Sequence, residues 1–256
     1  MNLFAVVTEE QRIQKAVVGI MYEEKYMPLA GVLMMANRTV RDDPELTAYT
    51  DGRDEVYGRE FIASLSDAEL RFLILHETYH RLYRHLITWL HLAKIDRRLA
   101  NQAMDYVINI KLVDDNIADG FATMTGPLTI GCLDAKYRGW DTAKVFHDLY
   151  EGDSGGEEGE EGEEGGGSGG DEREPTEKGE GEGERNEGFD THDWEAAEDM
   201  PDDEVAELGR EIDQAVRQGA MAAGKMGRQV DAELGEMLKP QVDWEAMLRE
   251  FVTSTC

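Results

Sequence analysis

Apolar residues recur at helical spacing in several stretches of this chain, and polar residues mark where those stretches begin. Thr8 and Gln11 are placed to cap each other reciprocally, after which Ile13, Ala16, Val17 and Ile20 share one face of a helix. Tyr26 to Met35 is apolar throughout and its type is ambiguous. Leu46 to Thr50 and Glu55 to Tyr57 flank the turn signal Asp51-Gly52, which predicts an irregular hairpin. Ser66-Asp67-Ala68-Glu69 has the form of a capping box, with Leu65 and Leu70 placed as a hydrophobic staple, and opens a helix expected to run to about Leu92. A second helix is expected over roughly Arg97 to Val113, and Asp141 can cap a short one ending near Tyr150. Further on, Glu204 to Gln229 reads as helix, Pro240 interrupts it, and Trp244, Met247, Leu248 and Phe251 form an i, i+3, i+4, i+7 stripe. The pattern predicts an α+β, mostly helical fold with one small strand element.

Charge divides the chain further. The formal net charge is −29 over 256 residues, and residues 151–204 alone hold 24 acidic against 3 basic residues. Gly152 to Gly188 contains 14 of the 27 glycines, and Phe189 is the first aromatic residue after Tyr150. Such a stretch buries too little apolar surface to offset its chain entropy, so 151–190 is expected to be an acidic disordered linker. It would separate a first domain, 1–150, from a helical C-terminal segment, 191–256. The acidity argues against nucleic-acid binding. No segment approaches the roughly 18 apolar residues of a membrane span, and no secretory signal is visible. Cys132 and Cys256 cannot make a disulfide framework, and a cytoplasmic setting is expected. Cys132 itself reads as a small core residue.

Candidate chemistry lies inside the capped helix, in His76-Glu77-Thr78-Tyr79-His80. Residues four apart lie about 40° apart around a helix, so both imidazoles can face one metal ion. Glu77 is about 100° from His76, close enough to act on a water at the metal without taking a coordination position, as in zinc peptidases. The plainer alternative is a pair of hydrogen-bonded core histidines. A catalytic zinc needs a third protein ligand and one open position. On an unbroken helix His85 falls about 140° from His80 and nearly opposite His76, and no glycine in Arg81 to Arg84 turns the chain back. Asp105 is the preferred third ligand, with His85 the alternative. Asn101, Asp105 and Asn109 form a polar stripe that would face the metal if the second helix packs antiparallel to the first; otherwise the stripe is an exposed face. A dinuclear carboxylate site would need a second Glu-x-x-His, which the sequence does not contain. Tyr106 is a candidate oxyanion donor or else a core hydroxyl. Glu55 to Tyr57 is expected to be an edge strand able to pair with an extended substrate.

Four blocks in order resemble a known family: TAYTDG (Thr47 to Gly52), FIASLSDAELRFLILHETYHRLYRH (Phe61 to His85), ANQAMDYVIN (Ala100 to Asn109) and CLDAKYRGWDTAKVFHDLY (Cys132 to Tyr150), with PQVDW at Pro240 to Trp244. The chain resembles the putative metallopeptidase domain family of bacteria and phages. Its members lie N-terminal to VWA-like domains and are often encoded beside MoxR-type AAA+ ATPases. The resemblance implies a zincin-like domain with Zn2+ on His76 and His80, Glu77 as general base, a His at His85 and an Asp at Asp105. It also implies a protein or peptide substrate, a bacterial or phage-infected host cytoplasm, and a partner in another chain, either a VWA-like domain or a MoxR-type ATPase. The alternative expectation is a non-catalytic, metal-stabilised adaptor in such an assembly, with His85 as a fourth ligand.

Overall fold

A computed structural model describes residues 7–154, 188–228, 230 and 232–238. In chain order these form helices α1 (Glu9–Tyr22) and α2 (Ala30–Met35), strands β1 (Arg38–Arg41), β2 (Ala48–Thr50) and β3 (Glu55–Gly58), and helices α3 (Arg59–Ser64), α4 (Asp67–Leu82), α5 (His85–Thr88), α6 (Leu90–Ala93), α7 (Arg97–Asn116) and α8 (Thr142–Ser154). After the undescribed stretch come β4 (Thr191–His192), α9 (Trp194–Glu198), α10 (Asp202–Lys225) and α11 (Ala232–Met237). The class is α+β and mostly helical. Among the described residues no helix is long and apolar enough to cross a membrane.

The chain forms two compact units, Arg38–Asp199 and a smaller one built from Met1–Asn37 with Met200–Cys256. This differs from the expected division at 150 and 190. The first 37 residues belong with the C-terminal helices, because helix α1, the turn Met27–Leu29 and α2 bring apolar side chains that need a helical partner from the same unit. Both ends of the stretch expected as linker are structured: α8 continues to Ser154, and Phe189 and Asp190 are buried. Residues 155–187 and the Trp244 to Phe251 stripe lie outside the described residues.

In the smaller unit, Thr8 and Gln11 make the reciprocal cap, and Ile13, Ala16 and Ile20 are buried while Val17 is half-buried. The ambiguous Tyr26 to Met35 stretch becomes a 3-10 turn at Met27–Leu29 followed by α2. Gly31 allows the backbone of α10 to approach closely, since a Cβ there would sit 2.1 Å from the Ala215 carbonyl oxygen. Leu208, Ile212, Ala215, Val216, Gly219 and Ala223 make the buried face of α10.

In the larger unit the sheet order is β1-β3-β2-β4. The Asp51-Gly52 turn joins β2 and β3 as an antiparallel pair with Tyr49 opposite Val56. Strand β1 pairs in parallel with the other side of β3, Arg38 opposite Glu55. Strand β3 is therefore interior, with all four residues buried, and the expected edge at Glu55–Tyr57 is already paired on both sides. Glu55 makes this arrangement possible by neutralising two arginines: its Oε1 accepts from Arg81 Nη2 at 2.5 Å, its Oε2 lies 2.7 Å from Arg38 Nε, and Tyr57 donates to Oε2 at 2.6 Å.

Helix α4 opens on the Ser66–Glu69 capping box and is buried from Phe72 to Leu82. It ends there and does not run on to Leu92. Arg84 adopts φ 54°, ψ 41°, a left-handed residue that turns the chain into the short helices α5 and α6. Helix α7 starts on Asp96, whose side chain accepts from the Leu99 amide, and extends three residues past the expected Val113. It packs beside α4 and α8 over a core that includes Leu86, Leu92, Ala103, Met104, Tyr137, Val145, Phe146 and Trp194.

Candidate metal centre

His76 meets Asn109 and His80 meets Asp105, so α4 and α7 run antiparallel with their polar stripes facing each other. The two Nε2 atoms of His76 and His80 lie 3.0 Å apart. Asp105 Oδ1 is 3.3 Å from His80 Nε2 and 3.7 Å from His76 Nε2. A fourth donor, Asp190 Oδ2, comes from the chain just before β4 and lies 3.2 Å from His76 Nε2 and 3.8 Å from His80 Nε2. Donor atoms of all four residues lie within 4.8 Å of one another, and all four residues are buried. Gly188 (φ +84°) lets this segment pass close to α7, since a Cβ there would sit 3.1 Å from Asp105 Oδ2.

Hydrogen bonding to Asn109 fixes the tautomer of His76. Asn109 Nδ2 donates to the Cys132 carbonyl at 3.0 Å, which leaves Asn109 Oδ1 to accept from His76 Nδ1 at 2.8 Å. His76 thereby presents its Nε2 lone pair to the cluster, the orientation a metal-binding imidazole needs. His80 Nδ1 faces two further imidazoles, His192 Nε2 at 2.9 Å and His85 Nδ1 at 3.1 Å. When His80 Nδ1 donates to either of them, its Nε2 lone pair also points into the cluster.

Burial dominates the electrostatics. It pushes Glu77 and Asp105 well above the usual carboxylate range, with Asp190 adding to the effect on both. Burial also holds His80 and His85 well below the usual imidazole range, reinforced by the neighbouring imidazoles. Asp190 is lowered: burial opposes this, but His76 and His192 outweigh it. Both oxygens of Glu77, Asp105 Oδ1 and Asp190 Oδ1 are buried without hydrogen-bond partners. Three carboxyl groups packed this closely are costly to keep ionised unless a cation joins them. The donor set suits one. A tetrahedral ion with bonds near 2.1 Å needs donor separations of roughly 3.4 Å, and the five separations above run from 3.0 to 3.8 Å.

Of the residues singled out in the sequence, His76, His80 and Asp105 come together and Glu77 is fully buried next to His76. His85 does not stay on the far side of an unbroken helix. The turn at Arg84 returns it to His80, where it meets Nδ1 and not the face shared with His76. Asn101, half-buried, accepts from Trp194 Nε1 at 2.7 Å and Asn109 bonds His76, so the stripe is inward-facing along its length. Tyr106 points elsewhere: its ring packs against Tyr137 and lines a recess with Arg98, Lys136 and Asp148. Its phenol is pushed up to about 12, chiefly by burial. Asp190 and His192 were missed because they fell at the end of the acidic run. The available signal was an Asp-x-His pair, two residues apart as on one strand face, flanked by Phe189 and Trp194.

The fold and the cluster together define a protein with a buried two-histidine, two-aspartate centre able to hold a metal ion. The chain belongs to the family described as "Putative metallopeptidase domain", whose model matches residues 8–256. Neither a curated protein nor a solved structure matches it.

Proposed function

We propose that the larger unit is a zincin-like, zinc-dependent peptidase acting on protein or peptide substrates. The observation that carries this reading is Glu77, a fully buried carboxylate with both oxygens unpartnered, one residue from His76. A carboxylate kept for structure would hold hydrogen bonds, as Glu55 does. His76, His80 and Asp105 would hold the ion, a nitrogen and oxygen donor set suited to zinc. Bound there, zinc would supply Lewis acidity for the scissile carbonyl and lower the pKa of a water. Glu77 would take the water's proton on a carboxylate oxygen and pass it to the leaving amine nitrogen, and its raised proton affinity suits that exchange. Asn109 keeps His76 in the tautomer that binds.

Asp190 favours a second reading. With four protein donors the centre has the form of a closed structural site, and the unit would then be an adaptor for a VWA-like or AAA+ partner in another chain. The test is zinc content together with cleavage of denatured protein and a peptide library by wild type, Asp190→Ala and Asp190→Ala/Glu77→Gln. Cleavage by either of the first two that falls by about a hundredfold or more when Glu77 is replaced supports the peptidase. One bound zinc with no cleavage by any of them leaves the adaptor.

A further inference from the structure

We propose that Gly188–His192 is a displaceable internal ligand of the metal centre, with Asp190 holding the position that a hydrolytic site keeps open for water and substrate. The inference rests on the peptidase reading and adds to it a means of keeping the site latent. The four donors are not held alike. His76 and His80 belong to a sixteen-residue helix and Asp105 to a twenty-residue one. Asp190 sits one residue before a two-residue strand, attached to the sheet at Tyr49↔Thr191 and Thr50↔His192. His76 is braced by Asn109 and His80 by His85, both from outside the segment, and the second oxygen of Asp190, like Oδ1 of Asp105, has no hydrogen-bond partner. A donor on so short a strand costs the least structure to release.

The segment also has the form of a bound peptide. It lies extended along the free side of β2, which is how an external chain adds to a sheet edge. Phe189 is buried, with its ring 4.8 Å from the His76 ring and 6.4 Å from Phe72. It also packs against Gly131, where a Cβ would come within 2.5 Å of the Phe189 ring. On the other side Trp194 is tied by its hydrogen bond to Asn101, so the strand can lift away while α9 stays in place. The groove so exposed would accept an extended chain with a large aromatic residue where Phe189 now sits. This makes unfolded or extended protein segments bearing such residues the substrate class.

Cobalt(II) in place of zinc reports the fourth position through its visible spectrum, independently of cleavage, and acetohydroxamate serves as the probe ligand. Asp190→Ala is expected to retain one cobalt and to change spectrum with acetohydroxamate at concentrations about tenfold or more below those wild type requires. Phe189→Ala, which loosens the segment without touching a donor, is expected to fall between them. Should Asp190→Ala not fold, the isosteric Asp190→Asn gives the same comparison. Loss of cobalt from the Asp190 variant overturns the proposal, because Asp190 is then an indispensable ligand. So does a wild type that responds as readily as the variant, or one that never responds. The expected spectral pattern without any peptide cleavage would sustain the displaceable ligand and sink the peptidase reading, so the two fail separately.

Discussion

Replacing Asn109 with alanine tests whether the centre is built to hold a metal ion. The side chain makes two buried bonds, accepting from His76 Nδ1 at 2.8 Å and donating to the Cys132 carbonyl at 3.0 Å. Its removal takes away both of these buried bonds, at about 1–3 kcal/mol each. A loss of roughly 3 kcal/mol in the metal-free protein is therefore expected. The same change frees His76 to rotate and to adopt the wrong tautomer, and loss of such a brace typically weakens metal binding by about 10- to 100-fold. Asn109→Asp separates the effects. It keeps an acceptor for His76 and loses the donor to Cys132, so it should cost stability while holding zinc far better than the alanine variant. Urea denaturation of the metal-free proteins and competition for zinc with a chromophoric chelator measure the two quantities. If Asn109→Ala binds zinc as tightly as wild type, Asn109 does not orient a metal ligand.

Other perturbations test the frame that holds the centre. Glu55→Ala removes the buried counter-charge of the Arg81 guanidinium and should cost about 3–5 kcal/mol in urea denaturation; a loss below about 1 kcal/mol would show that another group takes over the pairing. Arg84→Gly should be neutral or stabilising by about 1 kcal/mol, whereas Arg84→Val, β-branched at a left-handed position, should destabilise by at least about 1 kcal/mol. Equal melting temperatures for the two variants would exclude the turn that returns His85 to the site. Glu69 gives a pH dependence: despite burial, its bonds from the Ser66 amide and the Thr125 hydroxyl, both 2.7 Å, hold its pKa below the ordinary 4.5. Because the folded value is the lower one, its contribution is present above 4.5 and is lost as pH falls through the folded value. Glu69→Gln should therefore flatten the acid limb of stability against pH, and parallel limbs would show that the capping carboxylate does not contribute.

What could be read from the sequence was local. Thr8–Gln11 and Ser66–Glu69 close within one helical turn, so the residues that specify each cap are adjacent in the chain. The Asp51-Gly52 hairpin and the face formed by Asn101, Asp105 and Asn109 are likewise short-range patterns. Strands β1 and β4 were not legible. They have four and two residues, and their pairing depends on edges supplied by β3 and β2. Arg84 carries no signal because its left-handed conformation is imposed by what lies on either side of it, the buried α4 and the Leu86 and Leu92 core, and not by its own preference. The first unit boundary was hidden for a similar reason: α2 and the Met27–Leu29 turn before it find their partner, α10, some 180 residues later, which no composition shift announces.

The centre joins these two kinds of information. His76 and His80 are placed by helical geometry alone, so half of the donor set exists wherever α4 forms. Asp105 requires α4 and α7 to pack in antiparallel register, and Asp190 requires the segment before β4 to find β2. A metal ion held by all four would close loops of very different length, and its binding energy would stabilise the folded state over states in which these elements have separated. That coupling is the same for a peptidase and for an adaptor. The two differ in how long Asp190 stays on the ion, and the sparse hydrogen bonding of a two-residue strand, beside a Glu77 with no structural partner, is what a site that must open would require.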